Sequence, residues 1–162
     1  MRTILNFRRS LKGSLPAIPP GIEIHSFQPG LDKDEWLALN NKIFTQHPDQ
    51  GNWDMKDLDN RMAEPWFDAE GFFLAVEESQ SGGKVIVGFC WTKIHHDFIN
   101  KDPVGELYVV GVDPTAHGKG IGRALALTGL HYLQSKGLNE AMLYVDADNV
   151  SGRALYSSLG FN

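Results

Sequence analysis

Val109-Val110-Gly111-Val112-Asp113-Pro114-Thr115-Ala116-His117-Gly118-Lys119-Gly120-Ile121-Gly122-Arg123 is the stretch whose reading decides the fold. A valine-rich run suited to burial on both faces ends at a proline turn. A turn with three alternate glycines then opens directly into a helix expected over Gly118–Ser135, whose Ile121, Leu125, Leu127, Leu130 and Leu133 are apolar nearly all round; Gly137 ends it. Glycines let backbone approach a ligand closely, and a helix N-terminus points several N–H groups at it. Diphosphate is the natural occupant, with Lys119 and Arg123 adding positive charge. The residues alone leave a plain flexible turn open. They exclude a Walker loop, because no Gly-Lys-Ser/Thr stands at the required spacing. A dinucleotide fingerprint is excluded too: this strand does not open a βαβ unit, and no acid ends a strand ~20 residues on.

Working outward, Val104–Val112 is the third of three strands, after Gly71–Glu77 and Lys84–His95, with Ser79–Gly83 as a hairpin loop. Gly21–Phe27 alternates as a half-buried strand, and helices are expected over Asp32–Phe44 and Asp54–Ala63 with a loop at His47–Asn52 between them. Beyond the long helix come a strand, Ala141–Val145, and a short helix, Asn149–Leu159. The order β-α-α-β-β-β-α-β-α describes an α/β domain with a mixed central sheet flanked by helices. Pro16, Pro19 and Pro20 give residues 14–21 the chemistry of a linker.

At 162 residues the chain is the size of one domain, and 42% hydrophobic with 22% charged residues is an ordinary globular mix. No apolar run approaches the ~20 residues that span a bilayer, and the first residues lack a signal peptide's apolar stretch. A lone cysteine, Cys90, rules out an internal disulfide framework and suits a reducing cytoplasm. Cys90 itself, between Phe89 and Trp91, reads as a small buried apolar residue and not a nucleophile. Net charge is −5, yet residues 1–20 hold four basic residues and no acid, leaving −9 on the rest. So acidic a body is a poor partner for nucleic acid. His95 and His96 are adjacent, so on a strand their rings face opposite ways; no metal site is expected.

Val112-x-Pro114 followed by His117-Gly118-Lys119-Gly120-Ile121-Gly122 resembles the acetyl-CoA signature of the GCN5-related N-acetyltransferases, Gln/Arg-x-x-Gly-x-Gly/Ala. Asn149, Tyr156 and Gly160-Phe161 resemble the second half of that family's pattern. His117 departs from it, standing where Gln or Arg is usual; because loop amides do most of the binding in this family, the resemblance implies tuned affinity and retained function. It implies that backbone groups of Val110, Gly111 and Val112 pair with the pantetheine arm. The amides of His117, Gly118, Lys119, Gly120, Ile121, Gly122 and Arg123 would hold the diphosphate. Asn149, Val150, Ser151, Gly152, Arg153 and Ala154 would line the other side of acetyl-CoA.

His47–Gly51, Glu64–Asp68, Gly88–Lys93, Gly105–Pro114 and Leu143–Asp146 carry the resemblance further, to the mycothiol synthases within that family. Those enzymes resemble two such domains in tandem, with catalysis in the C-terminal one. The resemblance implies that residues 1–20 are the closing strand of a preceding domain plus a proline-rich linker. It makes residues 21–162 the catalytic domain, its last strand truncated. The acceptor it implies is a small thiol-sugar, a cysteine amide-linked to glucosaminyl-inositol, bound by Asp49, Lys93, Glu106 and Tyr144. Acetyl transfer to an amine needs a neutral nucleophile and a proton for the departing thiolate. Glu106 opens an apolar strand; by itself it reads sooner as a strand-end carboxylate in water, and it is the resemblance that implies a side chain turned into a cleft to serve as general base. Tyr156, two helical turns after Asn149, is the candidate acid, and by composition equally a packed aromatic. Two rivals remain: an acetyltransferase of the same fold acting on a protein N-terminus or another small amine, and a non-catalytic acyl-CoA-binding regulatory domain.

Overall fold

A computed structural model of the chain describes residues 2–47, 49–96 and 102–162. Ten regular elements follow one another: β1 (Ile4–Ser10), β2 (Glu23–Ser26), α1 (Lys33–Ile43), α2 (Met55–Met62), β3 (Phe72–Glu78), β4 (Lys84–His95), β5 (Val104–Val112), α3 (Ile121–Ser135), β6 (Glu140–Asp146) and α4 (Val150–Ser158). They match the expected order with one strand added in front. The expected loop at 47–52 includes Pro48, which lies outside the described residues. The long helix starts at Ile121, three residues later than expected, because Gly118 (φ +83°) and Gly120 (φ +79°) sit in the left-handed region and cannot belong to a right-handed helix. No helix among the described residues is long and apolar enough to cross a membrane.

The strands form one sheet in the order β1-β6-β5-β4-β3-β2. Every neighbouring pair is antiparallel except β5 and β6. Residues 4–10, expected to close a preceding domain, are β1 of this sheet, in register with β6 from Ile4↔Asp146 to Ser10↔Glu140. On the other side of β1, Arg8 exchanges both backbone hydrogen bonds with Asn162, at 2.9 and 3.0 Å.

Strand alternation divides the core into two layers. Cys90, Leu107, Ala141, Leu143 and Val145 face α3 and meet Ile121, Leu125, Leu130 and Leu133. Phe72, Phe89, Trp91 and Val109 face α1 and α2 and meet Trp36, Leu39 and Leu58. On the α3 side, Gly129 permits close approach: a Cβ there would lie 2.8 Å from the Cys90 sulfur and 2.9 Å from Leu107. On the other side Trp36 is the hub, fully buried and edge-on to Trp53, Phe72, Phe89 and Trp91, with ring centroids 5.2–5.9 Å apart. Replacing Trp36 by alanine is expected to lower stability by about 3–5 kcal/mol, the scale for removing a large buried aromatic, read as a lower urea midpoint with unchanged m.

Candidate active site

The site is built where the sheet opens. β5 and β6 run parallel but pair only at Gly105↔Ala141 and Glu106↔Met142; beyond Glu106 the two strands part. The far edge of β5 is therefore left without a neighbouring strand over its C-terminal half, the arrangement an extended ligand can join by strand addition. A bulge in the β4–β5 ladder accompanies the parting: Trp91 faces Val109 and Thr92 faces Leu107, so Tyr108 is left without a partner. The bulge sends both Tyr108 and Val109 to the α1–α2 face.

Glu106 stands at the fork. It is 5% exposed, a buried carboxylate at the mouth of a gap and not a strand-end charge in water. Its Oε1 lies 2.7 Å from His95 Nε2, and Oε2 meets no hydrogen-bond donor among the described residues. Lys93 faces Glu106 across the ladder. The Lys93 ammonium, however, sits over the rings of Trp66 (4.7 Å) and Tyr108 (5.5 Å). Arg61 repeats the pattern over Trp53 (5.1 Å) and Tyr108 (5.9 Å), and donates a hydrogen bond to the Tyr108 hydroxyl. Burial pushes that hydroxyl's pKa up, and the Arg61 guanidinium opposes the rise. Two cations held by aromatic faces beside one buried carboxylate make a wall rich in hydrogen-bond donors.

Tyr144 and Asp49 complete the acceptor set named in the sequence. Met142, Tyr144 and Asp146 share the β6 face opposite the α3 core, and Tyr144 is 58% exposed. Asp49 is tied to this face through Arg2, which contacts Asp49 at 3.3 Å and Asp146 at 3.0 Å, while His47 approaches Asp146 at 3.9 Å. Glu106, Lys93, Tyr144 and Asp49 thus lie on one side of the sheet. Arg61, Tyr108 and His95 belong with them and were missed. Alternation would have put Lys93 and His95 on one face, but placing them beside Glu106 needs the β4–β5 register.

The glycine loop enters from the other side. Between β5 and α3, Asp113 accepts from Thr115 N (3.0 Å), Thr115 Oγ1 (2.9 Å) and Lys42 Nζ (2.9 Å); the Lys42 ammonium holds the Asp113 carboxyl below the usual carboxylate range. That anchor fixes the start of the loop. Residues 117–120 are exposed, and Gly120, the N-cap of α3, supplies no side-chain cap. The first helix-type bond is Ala124 N to Gly120 O, so the amides of residues 118–123 meet no acceptor among the described residues. An uncapped, exposed helix N-terminus after two left-handed glycines fits a diphosphate group. His117 folds back, its Nε2 3.0 Å from the Val112 carbonyl. Lys119 contacts Glu77 at 3.3 Å, and Arg123 donates to Ser158 Oγ at 3.1 Å.

α4 closes this side of the gap. Asn149 caps it, accepting from Gly152 N at 2.9 Å and from Ser151 Oγ at 3.4 Å, and Arg153 donates to the Ala147 carbonyl at 2.8 Å. Val150 is 74% exposed, and Ala154 is exposed as well. Tyr156 is half-buried against the α3-side core, with its ring 6.1 Å from Phe161. Burial, with a smaller effect of Cys90, pushes its phenol well above the ordinary value, so it carries its proton at neutral pH. No hydrogen bond joins Tyr156 to Glu106: they lie on opposite faces of the sheet.

The chain belongs to the acetyltransferase (GNAT) family, which it matches over residues 34–161. Among curated relatives it is 50% identical to the mycothiol acetyltransferase of Thermobispora bispora over 163 residues, 99% of this chain and 54% of that protein. It is 48% identical to the enzyme of the same name from Salinispora tropica, covering 99% of this chain and 52% of the relative. The chain thus spans about half the length of the curated relatives it matches. Among solved structures, a GCN5-related N-acetyltransferase from Sphaerobacter thermophilus superposes with a TM-score of 0.74 at 29% identity, covering 99% of this chain and 48% of that one. An aminoglycoside N-acetyltransferase solved with CoA shares the fold, with a TM-score of 0.64 at 20% identity over 90% of this chain and 92% of that one.

Cys90 lies beneath the site, fully buried, with its thiol pushed up to about 12 by desolvation. It is protonated at neutral pH and no candidate for carrying an acyl group. A disulfide reagent at pH 8 is expected to label no thiol in the folded chain and one after unfolding in urea.

Proposed function

We propose that this chain catalyses transfer of acetyl from acetyl-CoA to the cysteinyl amine of desacetylmycothiol, the cysteine amide of glucosaminyl-inositol, giving mycothiol. The observation that carries the acceptor is the identity of about half its residues, over nearly its whole length, with mycothiol acetyltransferases of two organisms. The site supports the chemistry. CoA lies along the free edge of β5, its pantetheine arm against Val110, Gly111 and Val112 and its diphosphate on the amides of residues 118–123, the His117 amide being donated to the Pro114 carbonyl. Asn149, Val150, Ser151, Gly152, Arg153 and Ala154 flank it. The acceptor enters from the α1–α2 side, its hydroxyls and carbonyl against Lys93 and Tyr144 and its ammonium near Asp49 and Glu106.

Glu106 takes a proton from the ammonium and frees the lone pair. The amine nitrogen attacks the thioester carbonyl, a C–N bond forms and the C–S bond breaks. Tyr156 gives its proton to the departing sulfur, the second proton of the nitrogen passes through solvent to restore the tyrosine, and Glu106 releases the first proton to solvent. Transfer is direct, within a ternary complex, which the protonated and buried Cys90 supports. A second domain of the same family ahead of this one accords with the doubled length of the relatives, and the single reduced thiol accords with work in the cytoplasm.

The test is thiol release from acetyl-CoA with the cysteinyl-glucosaminyl-inositol acceptor against a panel of peptides and other amines. Turnover confined to the sugar-linked cysteine is expected; turnover with peptides instead would discard the acceptor, and CoA binding without any turnover would discard catalysis. Glu106→Gln is expected to lower kcat roughly 100-fold or more while leaving acetyl-CoA binding intact. Tyr156→Phe should lose less, because a thiolate leaves without full protonation. Gly120→Val, at φ +79°, forces a β-branched residue into the left-handed region and should weaken acetyl-CoA binding, read by calorimetric titration.

A further inference from the structure

The base of this reaction has a neighbour that the sequence dismissed. His95 sits two residues beyond Lys93 on β4, and Glu106 is the ladder partner of Lys93. His95 and Glu106 are therefore a diagonal pair on one face of an antiparallel ladder, within reach for long side chains. Their side chains are 16% and 7% exposed, and Nε2 lies 2.7 Å from Oε1. An ionised carboxylate only accepts hydrogen bonds, so the ring nitrogen is the donor.

We propose that His95 is the positioning residue for Glu106: its Nε2–H holds Oε1, and Oε2 is left to take the proton of the acceptor amine. This rests on the acetyl-transfer reading, in which Glu106 is the base. Among the described residues, the charged and titratable groups around the pair are Lys93 on β4 and His96 just beyond it, Tyr108 on β5, and Arg61 on α2 with Glu64 just beyond it. None of them bonds Glu106. Lys93 lies over Trp66 and Tyr108, and Arg61 donates to the Tyr108 hydroxyl. The donor that does reach Glu106 is thus the His95 imidazole, at 2.7 Å. A neutral donor orients a carboxylate without cancelling the charge that makes it a base, which a lysine or arginine in the same place would do. His95 also lines a cavity of about 410 Å³ with Pro65, Trp66, Lys93, Ile94 and His96, on the acceptor's side of the sheet.

His95→Ala and His95→Gln separate positioning from packing, since the glutamine amide can donate from nearly the place of Nε2 but does not titrate. In the full-length protein, His95→Ala is expected to lower kcat roughly tenfold to a hundredfold, the scale of a hydrogen bond to a charged group, with the KM for acetyl-CoA unchanged. His95→Gln should recover most of that rate. A wild-type rate in His95→Ala, or a glutamine variant no better than alanine, would overturn the proposal. The assay uses whichever amine the wild type acetylates, so failure with the cysteinyl sugar sinks the acceptor reading and leaves this one standing. A turnover-free arm reads the 15N spectrum of the ring: a protonated, slowly exchanging Nε2 in the wild type, lost in Glu106→Ala, is expected. Identical ring spectra in the two proteins would also overturn it.

Discussion

The parting of β5 from β6 after Glu106 is the constraint from which the rest of the site follows. Two parallel strands that stayed in register to their ends would bury their backbone groups in each other and leave no room for a ligand. Here two residue pairs hold the strands together and everything beyond them is open. The opening turns one sheet into two half-walls, with the glycine loop and α4 on one side and the aromatic–cation wall on the other. Glu106 and Tyr156 share no hydrogen bond, because they lie on opposite faces of the sheet.

The aromatic layer on the α1–α2 side does two jobs with one set of rings. Trp36, Phe72, Phe89 and Trp91 supply apolar burial beneath the helices. Toward the gap the same layer continues into Trp53, Trp66 and Tyr108, whose faces hold Arg61 and Lys93. A cation over a ring keeps its hydrogen-bond donors available, whereas one locked to a carboxylate gives them up. The wall thus presents donors to an oxygen-rich molecule without placing a counter-ion on Glu106.

Local pattern made the architecture legible. Alternation and valine content located β3, β4 and β5, helical spacing located α1 and α3, and the glycine turn pointed to the uncapped N-terminus of α3. What stayed hidden depends on contacts far apart in the chain. The bulge at Tyr108 sets which residues of β5 face which helix, and no single-strand pattern reveals it. Without that register His95 is one of two adjacent histidines, and Arg61 is a charge on a short helix. Lys93, Glu106, Asp49 and Tyr144 were nameable because family resemblance carried information that spacing did not. The late start of α3 was readable in principle: two glycines one residue apart, both left-handed, are incompatible with a continuing helix turn.

β1 bears on how the protein comes to be folded. The edge of β6 is closed by residues 4–10, whose partners lie at 140–146. Bringing those segments together means closing a loop of nearly the whole chain, the slowest kind of contact to form. β1 must wait for β6, which follows it by about 130 residues. Until it docks, β6 has an open outer edge and the gap has only one secured wall, so a working site and a finished sheet arrive in the same late step.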